Sequence, residues 1–246
     1  MGASVIVTGR TEAELSEVVA KIKSSGGNAF AVQADISMVE DVEYLVKTAI
    51  KTKGRVDVLV NNAGTIGPIQ PLAATDPREW WDTQEVNLRG SFLITRLLLP
   101  AMIDSRGGRI INIASGAAHN VFPNLSAYAV SKAAIVHFTR CLAIEMQTYN
   151  ISVIAFNPGF VVTSMLEHGA TSSEVDPNSR ETFRQVMETG RARSVTDIVP
   201  KLVYLVQGYA DVLSGCFLDI EDDLESLAAN HEDVNTNDLY TLQRKT

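Results

Sequence analysis

Short apolar runs rich in Val and Ile alternate along this chain with longer amphipathic stretches. The runs are nearly continuous in apolar character, which is typical of strands covered by helices on both faces. Repeated strand–helix alternation predicts an α/β fold with a parallel, doubly wound sheet, in a single domain spanning residues 1–246. We predict strands at residues 4–8, 29–34, 58–61, 109–114, 152–156 and 216–220. We predict helices at 11–24, 39–53, 77–103, 127–149, 180–189, 195–207, 222–230 and 237–242, and a polar loop at 169–179.

The composition is that of an acidic globular protein. The 246 residues are 46% hydrophobic and 20% charged, and the net charge of −8 argues against general nucleic-acid binding. Residues 221–246 form an acidic tail that we predict to be helical. Cys141 and Cys216 are too few for a disulfide framework, and we expect both to be buried thiols. We find no leader, no apolar run of membrane-spanning length and no histidine spacing suited to a metal, so we expect a cytoplasmic protein without membrane or metal partners.

Tyr128 and Lys132 are four residues apart in the sequence SAYAVSKAA, within a predicted helix. That spacing places both side chains on one face of the helix, one turn apart. An ammonium group beside a phenol favours the phenolate, so we expect Lys132 to lower the pKa of Tyr128. A tyrosine with such a pKa can act as a general acid or base near neutral pH.

Other polar residues follow predicted strands at their carboxyl ends, where open α/β sheets bind ligands. Ser115 follows the strand at 109–114, and its hydroxyl can bind a carbonyl oxygen or the oxyanion that develops from it. The segment Asn61-Asn62-Ala63-Gly64 follows the strand at 58–61, and its small residues let a ligand approach the backbone. Asn87 is a polar residue inside a predicted helix.

Together these motifs resemble the short-chain dehydrogenase/reductase family. The Asn61–Gly64 segment, Asn87, Ser115, Tyr128 and Lys132, followed by Asn157-Pro158-Gly159, match the family in order and spacing. The similarity runs from about residue 2 to residue 220, and the closing segment resembles a tail of fungal members. The resemblance implies a Rossmann-like fold, a small-molecule carbonyl or alcohol substrate, and a homodimer or homotetramer.

The resemblance also implies a role for each catalytic residue. Tyr128 would exchange a proton with the substrate oxygen, and Ser115 would position that oxygen. Lys132 would lower the pKa of Tyr128 and bind the nicotinamide ribose. Asn87 would hold a water molecule that links Lys132 to solvent.

The implied cofactor is NADP(H). Arg10 ends the first predicted strand, near the place where NAD-preferring members carry an acidic residue. A cation there would pair with a 2′-phosphate, although Arg10 could also be a surface charge. Asp35 would contact the adenine amino group. The residues along the cofactor would be Asn61, Ala63 and Gly64, with Val161 and Thr163 shaping the nicotinamide pocket.

One part of the family pattern is missing. Family members begin with a strand, a glycine-rich turn and a helix, and backbone N–H groups of the turn hold the pyrophosphate. Residues 2–5 correspond instead to the start of the family's second strand. We therefore expect an N-terminally truncated sheet with unpaired backbone groups on the two strands that flank the missing one. Either the sequence is incomplete, or a shortened protein has lost ordinary dinucleotide binding.

Three functional hypotheses follow. The first is a short-chain oxidoreductase that transfers a hydride between NADP(H) and a ketone or secondary alcohol, in secondary metabolite biosynthesis. The second is a cofactor-independent isomerase, dehydratase or cyclase that uses Tyr128, Lys132 and Ser115 for proton transfer. The third is a non-catalytic protein that oligomerises with related subunits.

Overall fold

The computed structural model describes residues 2–242 and confirms the α/β class. All six predicted strands are present: β1 Ser4–Gly9, β2 Asn28–Gln33, β3 Val58–Asn61, β4 Gly108–Ile113, β5 Ile151–Asn157 and β6 Phe217–Asp219. The helices are α1 Glu12–Ser24, α2 Val39–Lys53, α3 Pro77–Gln84, α4 Ser91–Asp104, α5 Ser126–Met146, α6 Ser164–Thr171, α7 Pro177–Glu188, α8 Val195–Gln207, α9 Leu224–Ala229 and α10 His231–Thr236.

The strands form two parallel sheets instead of one. β1 pairs only with β2, and the second sheet has the order β3-β4-β5-β6. Within residues 2–242 no ladder joins β1 to β3, so the interruption expected from the sequence is confirmed. β5 is buried at every position, whereas β1 has no buried residue. The prediction that every strand is covered on both faces is therefore wrong for β1, because it pairs on one side and α1 buries only Leu15.

One apolar cluster keeps the two sheets in contact. It contains Val32 of β2 and Val42 of α2, together with Leu98 of α4, Ile110 of β4 and Val153 of β5. α2 and α4 pack on each other within this cluster. Residues from both sheets thus share one core, and this supports the proposal of a single domain.

The stretch predicted as one helix at 77–103 has three parts: α3, a π-helical segment Glu85–Gly90, and α4. Asp76 caps its start by accepting a hydrogen bond from the Arg78 N–H. The whole stretch Pro77–Asp104 is long and apolar enough, by length and composition alone, to cross a membrane. The expectation that no stretch reaches that length is therefore wrong by this criterion. The buried Leu98 and Met102 pack in the core, as in a helix of a globular domain.

Three local predictions are wrong. The polar loop predicted at 169–179 includes the end of α6 and the start of α7, because Leu166 and Phe183 pack in one apolar cluster. No helix forms at 237–242, where Asp238 and Tyr240 have left-handed backbones, and α10 precedes this segment. Cys216 is buried as expected, but Cys141 is exposed on the outer face of α5.

Candidate active site

The predicted catalytic side chains lie at the carboxyl end of β4 and in the first turns of α5. Ser115 follows β4 and opens a 3₁₀ turn at Gly116–Ala118, where its Oγ accepts a hydrogen bond of 3.2 Å from the Ala117 N–H. Tyr128 lies in the first turn of α5, and Lys132 follows one turn later. The start of α5 is braced from α3, because Gln84 Nε2 donates to the Ala127 carbonyl at 2.8 Å.

Ser115, Tyr128 and Lys132 form one connected cluster. The Ser115 side chain lies near the Tyr128 phenol and acts to lower its pKa. Lys132 Nζ lies 5.6 Å from the centroid of the Tyr128 ring. It donates a hydrogen bond of 2.7 Å to the carbonyl of Ile113, the last residue of β4. A hydroxyl, a phenol and an ammonium therefore meet at one edge of the sheet, as the sequence spacing indicated.

Burial dominates the titration of this cluster. It raises the pKa of Tyr128 above its usual 10, against the opposing effect of the Ser115 side chain. It also lowers the pKa of Lys132 from 10.5 to about 8, since Lys132 is only 5% exposed. The pKa of Tyr128 is thus raised and not lowered as expected, because desolvation of the phenolate outweighs the effect of Ser115.

Asn87 lies in the π-helical segment and is 1% exposed. Its Oδ1 accepts from the Thr65 N–H at 2.8 Å, and its Nδ2 donates to the Thr65 carbonyl and to Ser131 Oγ, both at 2.9 Å. Ser131 Oγ in turn donates to the Tyr128 carbonyl at 2.7 Å. Asn87 therefore ties the loop after β3 to the turn of α5 that carries Tyr128.

Sequence reasoning missed Ser131 and Thr65 as members of this arrangement. The signal for Ser131 was its position three residues after Tyr128 and one before Lys132. Thr65 directly follows Gly64, and no periodicity in the sequence marks it. The water that Asn87 was expected to hold stays a prediction.

Asn61 ends β3 and offers an unused acceptor. Its Nδ2 donates to Asn112 Oδ1 at 2.8 Å and to Thr95 Oγ1 at 3.1 Å. Its Oδ1 is buried and has no hydrogen-bond partner among the described residues. A Cβ on Gly64 would lie 3.2 Å from Asn87 Oδ1. The absence of a side chain at Gly64 therefore lets the loop after β3 pack closely against Asn87. Both features fit a ligand that lies along this loop.

Arg10 and Asp35 follow the paired strands β1 and β2. Asp35 Oδ1 accepts hydrogen bonds from the Ser37 N–H at 2.9 Å and from Ser37 Oγ at 2.7 Å. The pKa of Asp35 is lowered, mainly by the Ser37 side chain and to a smaller extent by the charge of Arg10. The two residues are therefore near neighbours, and Arg10 is exposed.

Val161 and Thr163 lie beyond the end of β5. Val161 forms an isolated bridge with Arg193, and the exposed Thr163 precedes α6 and donates from Oγ1 to the Val161 carbonyl at 3.3 Å. This segment directly follows the carboxyl end of β5 in the sequence. Among residues 2–242, no hydrogen bond joins it to Tyr128 or Lys132.

The residues fit the nicotinamide half of a dinucleotide better than its phosphate half. Lys132, which the resemblance implies for the nicotinamide ribose, lies beside Tyr128. Asn61, which it implies for the adenine ribose, keeps an unpaired acceptor among the described residues. Between β1 and β3, however, residues 2–242 supply no glycine-rich turn of backbone N–H groups for a pyrophosphate. No group of three or more His, Cys, Asp or Glu among the same residues is placed to hold a metal ion.

Comparison with known proteins identifies the family. Residues 1–173 match the family model for short chain dehydrogenases. The chain is 29% identical over 240 residues to short chain dehydrogenase pigC of Monascus ruber, covering 95% of this chain and 75% of that protein. It is 35% identical over 204 residues to a short chain dehydrogenase of Pseudocercospora fijiensis, covering 80% of this chain and 64% of that one.

Solved structures agree with this assignment. A 3-ketoacyl-(acyl-carrier-protein) reductase from Brucella melitensis, complexed with NADH, is 32% identical with a TM-score of 0.78, covering 91% of this chain and 88% of that one. A putative NAD(P) dependent gluconate 5-dehydrogenase from Beutenbergia cavernae, with bound NADP, is 33% identical with a TM-score of 0.78, covering 89% and 85%. The chain belongs to the short-chain dehydrogenase/reductase family. It spans 64% and 61% of the length of two of the curated relatives that it matches.

Proposed function

We propose that this chain is an NADP(H)-dependent oxidoreductase that interconverts a ketone and a secondary alcohol. The observation that carries the proposal is the position of Tyr128, whose ring centroid lies 5.6 Å from the buried Lys132 Nζ and whose phenol has Ser115 nearby. That arrangement holds a proton donor and a second hydroxyl where one substrate oxygen can accept from both. Family membership supports an oxidoreductase, and the substrate and cofactor are part of the proposal.

The raised pKa of Tyr128 keeps its phenol protonated at neutral pH, so it is suited to donate a proton to a ketone oxygen. Ser115 orients that oxygen and hydrogen-bonds the charge that develops on it. Lys132, with a pKa of about 8, is mostly charged at neutral pH and stabilises the phenolate when the proton leaves. Bound NADPH would supply the hydride. Lys132 would hold its nicotinamide ribose. Asn61, Ala63 and Gly64 would lie along the cofactor, with Asn61 close to the adenine ribose.

The preference for NADP(H) rests on Arg10. Arg10 is an exposed cation after β1, and its charge acts on Asp35. The solved relatives include complexes with NADP and with NADH, so they do not decide between the two cofactors. We expect Arg10→Ala to raise the KM for NADPH by about tenfold and to leave the KM for NADH nearly unchanged. Equal effects on both cofactors would contradict a role in recognising the 2′-phosphate.

The first test is consumption of NADPH by the full chain with a panel of apolar ketones. Tyr128→Phe should lower kcat by about 10²- to 10⁴-fold, because it removes the proton donor and little else. Tyr149→Phe, at an exposed tyrosine beyond α5, is the matched control and should keep full activity. Unchanged turnover in Tyr128→Phe would overturn the proposed acid.

A second candidate is proton-transfer catalysis without nicotinamide: an isomerisation, dehydration or cyclisation. The observation that favours it is the lack of a phosphate-binding turn between β1 and β3 within residues 2–242. Turnover of an enolisable ketone without nucleotide, lost in Tyr128→Phe, would support this candidate. NADPH-dependent reduction by the same protein would favour the first one.

The proposal includes a homodimer or homotetramer. Exposed Phe92 on α4 and exposed Val130 and Ile144 on α5 support a homodimer or homotetramer formed through these helices. Sedimentation velocity tests this, and a monomer at all concentrations would contradict it. A cytoplasmic location stays part of the proposal. A substrate from secondary metabolism is proposed because the closing segment resembles a tail of fungal family members. Association without any catalytic activity would instead support a non-catalytic role.

A further inference from the structure

Two side chains of α3 donate hydrogen bonds to the first turn of α5. Trp80 Nε1 donates to Ser126 Oγ at 3.1 Å. Gln84 Nε2 donates to the Ala127 carbonyl at 2.8 Å, and this bond is buried. Trp80 and Gln84 are four residues apart, so they lie on one face of α3, one turn from each other. Both contacts therefore reach α5 directly before Tyr128.

The π-helical segment adds a third connection to this turn. Asn87 Nδ2 donates to Ser131 Oγ at 2.9 Å, and Ser131 Oγ donates to the Tyr128 carbonyl at 2.7 Å. Consecutive residues of a helix are about 100° apart around its axis. Bonds to residues 126, 127 and 128 therefore fix the position of α5 along its axis and its rotation about that axis. The phenol of Tyr128 follows this rotation, because its side chain leaves the helix from the same turn.

The end of α3 that carries Gln84 is itself held firmly. Gln84 is 7% exposed, and the preceding Thr83 is 1% exposed. Thr83 packs so closely on the loop after β3 that a Cβ on Gly67 would overlap its hydroxyl. At the other end, α3 begins with Pro77 and the capping carboxylate of Asp76. The hydrogen bond to α5 thus comes from a fixed support.

Gln84 differs from the other two donors in what it contacts. Trp80 bonds a side chain, and Asn87 acts through Ser131 Oγ and also holds both backbone groups of Thr65. Of these three donors, only Gln84 bonds the backbone of α5 directly. Replacing its amide therefore releases the backbone beside the catalytic tyrosine and leaves the loop contacts of Asn87 in place.

We propose that Gln84 is a positioning residue for Tyr128 in the ketone reduction proposed above, on which this inference rests. It acts through the Ala127 carbonyl and keeps the phenol aimed at the substrate oxygen and beside Lys132. A reacting group that is misplaced by about 1 Å can lose a factor of about 10² in rate. Gln84 supports the proton donor and not a binding surface, so its loss lowers kcat and leaves KM nearly unchanged.

The test is a double-mutant cycle of Gln84→Met and Tyr128→Phe in the full chain, with NADPH and an apolar ketone. Gln84→Met keeps the length of the side chain and removes the donor. We expect it to lower kcat about tenfold and to change both KM values less than about twofold. In the Tyr128→Phe background it should have no further effect, because no phenol proton is left to position.

The matched control is Gln185→Met, which removes an exposed glutamine amide that donates to Glu181 within α7. It should keep full activity. Three results would overturn the proposal: an unchanged kcat in Gln84→Met, a change confined to KM, or the same loss of kcat in the parent and Tyr128→Phe backgrounds. The last result would mean that Gln84 supports the fold in general.

Two further measurements separate this proposal from misfolding and from the proposed function. Ser126→Ala removes the acceptor of Trp80 and should lower kcat about threefold. It carries the test if Gln84→Met fails to fold, as judged by thermal denaturation, and an unchanged kcat would then overturn the proposal.

Amide hydrogen exchange tests the support of α5 without any activity. The amides of residues 129–132 should exchange at least about tenfold faster in Gln84→Met than in the parent chain, while those of β5 stay equal. A parent chain that reduces no ketone with NADPH contradicts the proposed function. Equal exchange at residues 129–132 in the two proteins contradicts the role of Gln84, whether or not the parent chain is active.

Discussion

Lys132 combines a catalytic position with a cost to the fold. Its ammonium is almost fully buried, and its hydrogen bond to the Ile113 carbonyl compensates only part of the lost hydration. Burial lowers its pKa from 10.5 to about 8, a difference that corresponds to about 3 kcal/mol. Such strain is typical of sites where a charge is needed beside a reacting group.

The pH dependence of stability tests this burial. Between about pH 8 and 10.5 the unfolded chain holds a proton on Lys132 that the folded chain releases, so the free energy of unfolding rises with pH. Lys132→Met removes this term. We expect the free energy of the parent chain minus that of the variant to rise by about 2 kcal/mol between about pH 7 and 9.5. Urea unfolding at both pH values measures it.

Lys51→Met, at an exposed lysine of α2, is the control and should show no such pH-dependent difference. A constant difference between the parent chain and Lys132→Met across that range would contradict the lowered pKa of Lys132.

Asn87 is predicted to contribute mainly through its three hydrogen bonds. Asn87→Ala leaves the half-buried Thr65 backbone groups and the buried Ser131 Oγ without their amide partner. We expect a loss of about 3 kcal/mol in the free energy of unfolding, measured by urea denaturation. Asn120→Ala removes an exposed amide and should change stability by less than about 0.5 kcal/mol. Similar small effects of both variants would refute the bracing role.

At this scale the sequence predicted which side chains meet, but not their energetics. The four-residue spacing of Tyr128 and Lys132 and the place of Ser115 after β4 were sufficient to bring them together. The direction of the shift in the Tyr128 pKa was not predictable, because it depends on how completely the surrounding residues exclude water from the phenol. The partners of Asn87 were hidden for a similar reason, since Thr65 is 22 residues away.

Among the elements, the π-helical segment before α4 organises the site. It carries Asn87, and its Arg89 Nη1 donates to the Ser37 carbonyl at 2.8 Å, which fixes the loop after β2. Gly90 ends the segment against Ile36, beside Asp35. π-Helical turns are often found at functional sites. Here the π-helical turn connects the loop that carries Asp35 with Ser131, which hydrogen-bonds the Tyr128 carbonyl.

Gly90→Ala tests this contact between elements. A Cβ there would lie 2.6 Å from Ile36 Cδ1 and 3.0 Å from the Ile36 carbonyl oxygen. We expect a loss of about 1–3 kcal/mol in stability, although alanine is the better helix former. Ile36→Ala removes both Cδ1 and the Cγ1 atom, which would lie at 2.8 Å, but not the carbonyl, so the double variant should recover part of the loss. Additive effects in this double-mutant cycle, measured by urea unfolding, would contradict the contact.

Element positions were more predictable than element details. All six strands were found from apolar runs, and α2 and α8 have the predicted bounds. The π-helical segment was not predictable, because a helical pattern does not reveal one extra residue in a turn. α6 was missed since its short segment, with His168 and Gly169, is helical only through packing against α7.

In the whole molecule, the two sheets differ in how firmly they are held. β5 is paired on both sides and buried throughout, while β1 is paired on one side and has exposed Val5. The sequence predicted the parallel order and the interruption from the resemblance. It did not predict how exposed β1 is, because apolar character alone does not show whether helices pack on both faces of a strand.

The exposure of β1 leads to a prediction for hydrogen exchange. Local opening costs least where few side chains are buried and a strand is paired on one side only. We therefore expect amides of Ser4–Gly9 to exchange at least about a hundredfold faster than those of Ile151–Asn157, after correction for intrinsic rates. β2 should be intermediate, because it places Ala29 and Val32 in the buried interior. Equal protection of β1 and β5 in exchange mass spectrometry would mean that both sheets open only with global unfolding.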